Sequence, residues 1–221
     1  MIDPRRPRLL IYGGSFDPPQ RAHLECSRAA AQLLGCTSVL FVPTSQNPLK
    51  SDAPTAAADR LEMLRRALRN RPDTEISTIE LDRPPPAYTV ETLRALRQLR
   101  GPEEVFILLM GSDSAVTFAR WREPLEILDL AFPAIVLRPP HTVEGVIESL
   151  RQSLPPDAAE AMIRGIVPLP PVDSSSTEVR RRLASGESVG GLLDPEVERC
   201  IRARGLYGVG AAGSSSAGAD S

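Results

Sequence analysis

Two short motifs in this sequence carry residue types that bind phosphate groups. The first, Gly13-Gly14-Ser15-Phe16, follows an apolar run and leads through Gln20 and His23 into an alanine-rich amphipathic segment, which predicts a strand, a glycine turn and a helix start. Adjacent glycines let backbone N–H groups approach a ligand, and a helix N-terminus attracts anions. A tight turn that binds nothing could also use two glycines, so the motif alone leaves both interpretations open.

The second motif is Ser175-Ser176-Thr177, followed one helical turn later by Arg180. Hydroxyl groups and unpaired N–H groups at a helix start bind phosphate oxygens, and an arginine can bind two oxygens at once. Ser175 and Glu178 also have the spacing of a capping box, which would stabilise the helix without any ligand. Both roles are compatible with the pattern.

Further candidates follow the ends of predicted strands. Lys50, the one lysine among 26 basic residues, lies in a loop after an apolar run. Gly111 and Asp113 follow the most continuously apolar run, where an acidic residue suits a ribose hydroxyl. Trp121 is the single tryptophan, and the pattern by itself favours a core side chain there, with Asp113 as a helix cap.

Hydrophobic patterning predicts the elements that position these residues. The predicted strands cover 9–12, 37–42, 74–81, 105–110, 131–137 and 165–169. The predicted helices cover 24–34, 59–69, 90–99 with Thr89 as N-cap, one or two segments within 142–164, a helix after the second motif, and 195–202. This order predicts the α/β class: a Rossmann-like doubly wound parallel sheet with helices on both faces, whose ligand crevice follows the carboxyl ends of the strands.

Length and composition limit the possible functions. The 221 residues fit one domain, 1–207, followed by a Gly/Ala/Ser tail, 208–221, that we expect to be disordered. A net charge of −2 argues against a general nucleic-acid binder, and no window of about 18 apolar residues predicts a membrane span. Three scattered cysteines and the absence of a targeting signal predict free thiols and a cytoplasmic location. We expect His141 to be exposed and without a chemical role.

The motifs together resemble the nicotinate-nucleotide adenylyltransferase family of nucleotidyltransferases, over residues 8–207. Residues 13–24 are similar to the family's GG(S/T)FDPxHxGH motif, with Gln20 in place of the first histidine and Ala22 in place of the glycine. The other matching motifs are the loop ending in Lys50, the S/A-Y-T motif at Ala87-Tyr88-Thr89, the G-x-D…W segment at Gly111, Asp113 and Trp121, and the SSTxxR motif at 175–180.

The resemblance implies transfer of the adenylyl group of ATP to nicotinate mononucleotide, which forms deamido-NAD and pyrophosphate in NAD biosynthesis. The implied catalytic residues are His23, Lys50 and Arg180. The implied ATP-binding residues are Gly13, Gly14, Ser15, Phe16, Gln20, His23, Gly111, Asp113, Ser175, Ser176, Thr177 and Arg180. The implied mononucleotide-binding residues are Ser15, Lys50, Ala87, Tyr88, Thr89, Trp121 and Arg122.

The resemblance also implies Mg²⁺ bound through the ATP phosphates, with no protein metal ligand. The implied partners are the two nucleotides, with no nucleic acid or membrane and with a possible homo-oligomer.

Two other functions remain open from the sequence. The acceptor could be nicotinamide mononucleotide or phosphopantetheine, or the chain could be a catalytically impaired nucleotide-binding protein, because Gln20 replaces a histidine. A glutamine keeps a neutral hydrogen-bond donor but lacks the charge of an imidazolium, and charge-assisted bonds are about twice as strong. We therefore expect a slower but working enzyme.

Overall fold

The computed structural model describes residues 6–45, 55–171 and 175–209. Its centre is a sheet of five parallel strands in the order β3-β2-β1-β4-β5. The strands are β1 (Arg8–Gly14), β2 (Ser38–Pro43), β3 (Thr74–Ile76), β4 (Val105–Gly111) and β5 (Phe132–Val136). The chain adds β2 and β3 on one side of β1 and then crosses to β4 on the other side, so the order of the strands reverses between β1 and β4.

Nine α-helices are seen in the described residues. They are α1 (Arg21–Leu34), α2 (Ala57–Leu68), α3 (Thr89–Arg100), α4 (Ser112–Ala115), α5 (Pro124–Leu130), α6 (Val143–Ser153), α7 (Pro156–Arg164), α8 (Ser176–Ser185) and α9 (Pro195–Arg204). Two short 3₁₀ turns cover Phe118–Arg120 and Leu206–Gly208. Across these same residues, none of the helices is both long and apolar enough to cross a membrane.

Both faces of the sheet are buried, because successive strand residues point to opposite faces. Leu10 and Tyr12 of β1 belong to one core cluster, which also contains residues of α1, α2, α8 and α9. Leu9 and Ile11 belong to a second cluster, formed with residues of α3, α4, α5, α6 and α7. The predicted doubly wound α/β fold with helices on both faces is therefore confirmed.

Two strand predictions are wrong: one strand is shorter than predicted, and the other segment does not form a strand. β3 ends at Ile76 because the N–H groups of Leu81 and Asp82 turn back to the carbonyl of Thr78. The segment 165–169 forms only an isolated bridge, between Ile166 and Ile135. Proline at 168 has no N–H to extend that pairing.

Two further predictions need correction: the N-cap of α3 and the last residue of the domain. Tyr88, with extended backbone, is the N-cap of α3, and Thr89, predicted as the cap, is its first helical residue. Gly208 ends the last 3₁₀ turn and Val209 packs against the core, two residues beyond the predicted domain end. The remainder of the predicted tail, 210–221, lies outside the described residues.

Candidate active site

A crevice of about 550 Å³ opens at the carboxyl ends of β1 and β4, where the strand order reverses. Sixteen of the predicted site residues line it. They are Gly13, Gly14, Ser15, Phe16, His23, Ala87, Tyr88, Thr89, Gly111, Asp113, Trp121, Arg122, Ser175, Ser176, Thr177 and Arg180. Of the other two predicted residues, Lys50 lies outside the described residues, and the side chain of Gln20 points elsewhere.

The glycine turn, residues 13–16, forms the floor of the crevice, and its two glycines are the last residues of β1. A Cβ on Gly13 would meet no atom within 4 Å, so this backbone is open to a ligand. A Cβ on Gly14 would come within 3.2 Å of the Phe16 ring. Phe16 has a φ of 46°, which is uncommon for a residue with a side chain, and its ring packs against Tyr12 and Phe41. Aromatic packing therefore holds the turn in shape.

His23 lies in the first turn of α1 with its ring edge-on to Phe16. Its Nδ1 accepts the backbone N–H of Gln20 at 3.1 Å. A ring nitrogen that accepts a hydrogen bond carries no proton, so this contact assigns the proton of the neutral ring to Nε2. Of the two roles considered for His23, protonated cation or neutral donor, the geometry favours the neutral donor.

The start of α8 forms the wall opposite the glycine turn. Ser175 caps the helix, with its Oγ accepting the N–H of Glu178 at 3.2 Å, as predicted. The return bond of a capping box is replaced, because the Glu178 carboxylate accepts hydrogen bonds from Arg181 and Arg182, which lower its pKa to about 2. The side chains of Arg181 and Arg182 are 54% and 39% exposed, so both lie at the surface.

The Arg180 guanidinium is held at the same wall by two bonds. Its Nη1 donates to the Asp17 carbonyl at 2.8 Å and its Nη2 to Thr177 Oγ1 at 3.4 Å. Asp17 is buried, and its carboxylate accepts from Tyr207 Oη at 2.6 Å and from the Thr55 N–H at 3.1 Å. Burial, followed by the bond to Asp17, raises the pKa of Tyr207. The Asp17 carboxylate thus links the segment after the glycine turn to Tyr207, near the end of the described residues.

Arg60 of α2 is a second link to the turn. It is only 1% exposed, and it donates from Nη1 to the Ser15 carbonyl at 2.6 Å and from Nε to the Thr55 carbonyl at 2.8 Å. The Thr44 N–H donates to the Gly14 carbonyl at 2.9 Å. Thr44 and Thr55, on either side of the segment that contains Lys50, are therefore both bonded to the turn or its anchors.

The end of β4 forms the third wall of the crevice. Asp113 Oδ1 lies 3.8 Å from Nη1 of Arg138. A Cβ on Gly111 would lie 2.3 Å from Asp113 Oδ1 and 2.8 Å from Arg138 Nε, so only glycine leaves room for this pair. Arg138 also reaches Tyr12 Oη at 3.5 Å, while burial raises the pKa of Tyr12 to about 12.

His141, predicted to be exposed, is partly buried instead. Its Nδ1 lies 3.1 Å from the hydroxyl of Ser112, a fully buried residue. The hydroxyl also accepts the Arg138 N–H at 2.9 Å. This contact draws the loop after β5 onto the end of β4, which explains the partial burial of the imidazole.

The far end of the crevice is aromatic. The Arg122 guanidinium lies 4.8 Å from the centre of the Tyr88 ring and forms an ion pair with Glu91 at 2.9 Å. Trp121 packs against Phe118, and its indole Nε1 is buried without a hydrogen-bond partner among the described residues. A flat ligand would suit this end.

Several crevice residues were assigned no role from the sequence: Glu80, Thr92, Arg120 and Arg138. Arg138 follows the carboxyl end of β5, and this is the same signal that identified Asp113. Glu80 is 8% exposed and accepts from Thr92 Oγ1 at 2.8 Å. No motif surrounds Glu80, because its position depends on a turn and a helix that meet only in the fold.

Comparisons with known proteins agree with this geometry. The cytidylyltransferase-like family model matches residues 11–182. A relative from Thermomicrobium roseum, named probable nicotinate-nucleotide adenylyltransferase, is 36% identical over 201 residues, covering 90% of this chain and 91% of the relative. A relative of the same name from Roseiflexus castenholzii is 39% identical over 199 residues, covering 89% and 96%.

Among solved structures, the nicotinic acid mononucleotide adenylyltransferase of Plasmodium falciparum complexed with NaAD has the same fold. It superposes with a TM-score of 0.70 at 19% identity, covering 92% of this chain and 98% of that one. The sequence relatives, together with the family model, decide the family. This chain belongs to the nicotinate-nucleotide adenylyltransferase family of cytidylyltransferase-like proteins.

Proposed function

We propose that the chain transfers the adenylyl group of ATP to nicotinate mononucleotide, forming deamido-NAD and pyrophosphate in NAD biosynthesis. One observation carries the proposal. A single crevice holds a glycine turn, a histidine donor and a helix start with an arginine at one end, and an aromatic pocket with a cation at the other. Two nucleotides that react through their phosphates would need both ends of the crevice, one end for each.

In the proposed reaction, an oxygen of the mononucleotide 5′-phosphate attacks the α-phosphorus of ATP. The new P–O bond replaces the bond between the α-phosphorus and the oxygen that bridges it to the β-phosphorus, and pyrophosphate leaves with that electron pair. The attacking oxygen is already anionic, so the reaction needs no general base. Catalysis comes from alignment and from donors placed where negative charge develops.

The groups that donate hydrogen bonds to the phosphates come from three elements. His23 donates Nε2–H toward the bridging oxygens as a neutral imidazole. Arg180 and the N–H groups at the start of α8 bind the β- and γ-phosphate oxygens, while Gly13, Gly14 and Ser15 supply contacts from the turn. Lys50 keeps its predicted role at the same phosphates, supported by the anchoring of Thr44 and Thr55 beside the turn.

The other crevice residues recognise the sugars and the pyridine ring. Asp113 accepts a ribose hydroxyl of ATP. Trp121 stacks on the pyridine ring of the mononucleotide, and Arg122 with the start of α3, at Ala87-Tyr88-Thr89, faces its carboxylate. A cation at this end favours the acid over the amide. The proposed acceptor is therefore nicotinate mononucleotide, ahead of nicotinamide mononucleotide or phosphopantetheine.

Mg²⁺ enters this proposal bound to ATP. No cluster of three or more histidine, cysteine or acidic residues able to hold a metal ion occurs in the described parts of the chain, and Asp113 and Glu80 already face Arg138 and Thr92. We therefore place the ion on the ATP phosphates and propose no protein ligand for it. Bound to the phosphates, the ion would neutralise charge on the departing pyrophosphate.

The proposed setting is the cytoplasm, supported by three cysteines that are free thiols in the structure. A homo-oligomer remains a prediction that light scattering would test. An impaired nucleotide-binding protein is the second candidate, motivated by Gln20, and it predicts ATP binding without dinucleotide formation.

The decisive measurement is pyrophosphate release with ATP and each of the three acceptors. We expect the highest kcat/KM with nicotinate mononucleotide. Replacing His23→Ala should lower kcat by about 10²–10³-fold, the usual cost of losing one preorganised donor, and His23→Gln, which keeps a neutral N–H, should lose less. The matched control is Arg151→Ala on α6, whose side chain is 61% exposed. Binding of ATP without pyrophosphate release from any acceptor would refute the proposal.

A further inference from the structure

Gln20 lies buried between the starts of two helices. Its side chain is 2% exposed and does not line the crevice, although the sequence placed it among the ATP ligands. Its Nε2 donates to Ser176 Oγ at 3.0 Å, a contact between the N-cap of α1 and the first residue of α8 across 156 positions of the chain. The motif position that matches a histidine in the family therefore faces the other phosphate motif.

The bond from Gln20 sets the direction of the Ser176 hydroxyl. A serine hydroxyl has one proton and two lone pairs. Because the Gln20 amide occupies a lone pair, the hydroxyl proton is directed away from Gln20, and Ser176 itself lines the crevice. In a chain of hydrogen bonds each donor also polarises the next one. The amide therefore strengthens the hydroxyl as a donor to a ligand oxygen.

The backbone of Gln20 orients a second donor. Its N–H donates to His23 Nδ1, which directs the ring proton to Nε2. A reciprocal capping box between the two residues fixes Gln20 at the start of α1. One residue thus orients the hydroxyl of one motif through its side chain and the imidazole of the other through its main chain.

We propose that Gln20 is a positioning residue that acts through Ser176 and makes no contact with ATP. The inference rests on the proposed function for the identity of the nucleotide. It also explains how a neutral side chain can occupy this position: the amide orients the serine hydroxyl, and the hydroxyl donates to the phosphate.

A double-mutant cycle tests this mechanism, using Gln20→Met, Ser176→Ala and the two together. Methionine has a similar length and no N–H group. Gln20→Met should lower kcat/KM and ATP affinity by up to about tenfold, the upper range for one neutral hydrogen bond. In the Ser176→Ala background the same change should have an effect of no more than about twofold, because the hydroxyl that Gln20 orients is gone.

Gln20→Glu reverses the orientation of the Ser176 hydroxyl, which would then donate to the introduced carboxylate and turn its proton away from the crevice. We expect a lower unfolding free energy than that of the wild type, because the carboxylate is buried, and a larger loss of kcat/KM than in Gln20→Met. The part of this loss that the turned proton causes should disappear in the Ser176→Ala background, while repulsion between the carboxylate and the ATP phosphates persists there. For Gln20→Met, equal losses with and without Ser176 would mean that residue 20 acts on ATP directly and would overturn the inference.

An unchanged kcat/KM in Gln20→Met would overturn the inference as well. If Gln20→Met does not fold, the Gln20→Glu pair of measurements decides. Calorimetric titration with ATP alone separates this inference from the proposed reaction. A wild-type protein that releases no pyrophosphate would refute the reaction, while the ATP affinities of the same four proteins would still reveal whether Gln20 and Ser176 are coupled.

Discussion

The buried carboxyl group of Glu80 has an electrostatic cost at neutral pH. Burial raises its pKa above the ordinary value of 4.5, and the hydrogen bonds from Thr92 and Thr44 and the charge of Arg83 oppose this effect without cancelling it. A raised pKa means that the folded protein holds the proton more tightly than the unfolded chain. This contribution to stability is complete below the unfolded pKa and is lost as pH rises through the folded pKa.

Replacing Glu80→Gln removes that titration. The unfolding free energy of the variant should therefore rise relative to wild type as pH increases from about 4 to about 8. Urea denaturation at several pH values measures this difference. Glu160→Gln is the control, because its carboxylate is 48% exposed. Two curves that stay parallel over the whole range would contradict the assignment of burial as the cause.

Sequence motifs identified most of the predicted site residues that the fold brings to one crevice. The glycine turn, the start of α8 and the Asp113–Trp121 segment all reached one crevice, because each follows a strand end or precedes a helix. Gln20 did not, since its rotamer depends on Ser176, which lies 156 positions away. Glu80 was missed for a similar reason, because its neighbours come from other elements, whereas Arg138 follows a strand end but was given no role.

At the scale of elements, α2 holds the glycine turn through one side chain. Arg60 bonds the carbonyls of Ser15 and Thr55, and burial lowers its pKa. Because the guanidinium is 1% exposed, these carbonyls have little access to water that could replace it. The helix therefore fixes both the turn and the segment that leads into α2.

Arg60→Met should unfold at a lower denaturant concentration, with a loss of about 2 kcal/mol, because two partly buried carbonyls lose their donor at about 1–3 kcal/mol each. We also expect a lower kcat/KM at temperatures where the variant is folded, since Ser15 is no longer held. Arg65→Met, an exposed arginine on the same helix, is the matched control. A variant as stable as that control would show that Arg60 does not anchor the turn.

The elements themselves were predictable to different degrees. The strands β1, β2, β4 and β5 were found because their runs are apolar, and most of their residues are buried. The segment around Ile166 was predicted wrongly, because its short apolar run resembles a strand while a following proline limits pairing to one bridge. The cap of α3 failed because Tyr88 has the extended backbone of a cap without a capping side chain.

At the scale of the whole molecule, the last described residues of the chain lie against its first loop. Tyr207 donates to Asp17 at 2.6 Å across 190 positions, and Leu206 and Val209 pack against the core. Truncation before residue 206 should lower Tm by several degrees, since about 1 kcal/mol corresponds to about 2–4 °C in a domain of this size.

Truncation after residue 209 is the control for this prediction and should leave Tm unchanged, because the tail composition offers little apolar surface to bury. Tyr207→Phe in the full chain isolates the hydrogen bond. Scanning calorimetry measures all three proteins. Equal melting temperatures for the two truncations would mean that the last turn adds nothing to stability.

The strand order has a consequence for synthesis on the ribosome. β1 is made first, yet it lies in the middle of the sheet, and its second edge pairs only with β4, which begins at Val105. A nascent chain that has completed β2 and β3 therefore still exposes one side of its central strand, a surface prone to aggregation. The nucleotide pocket is completed later still, when α8 has been translated, so ATP can assist only the final stage of folding.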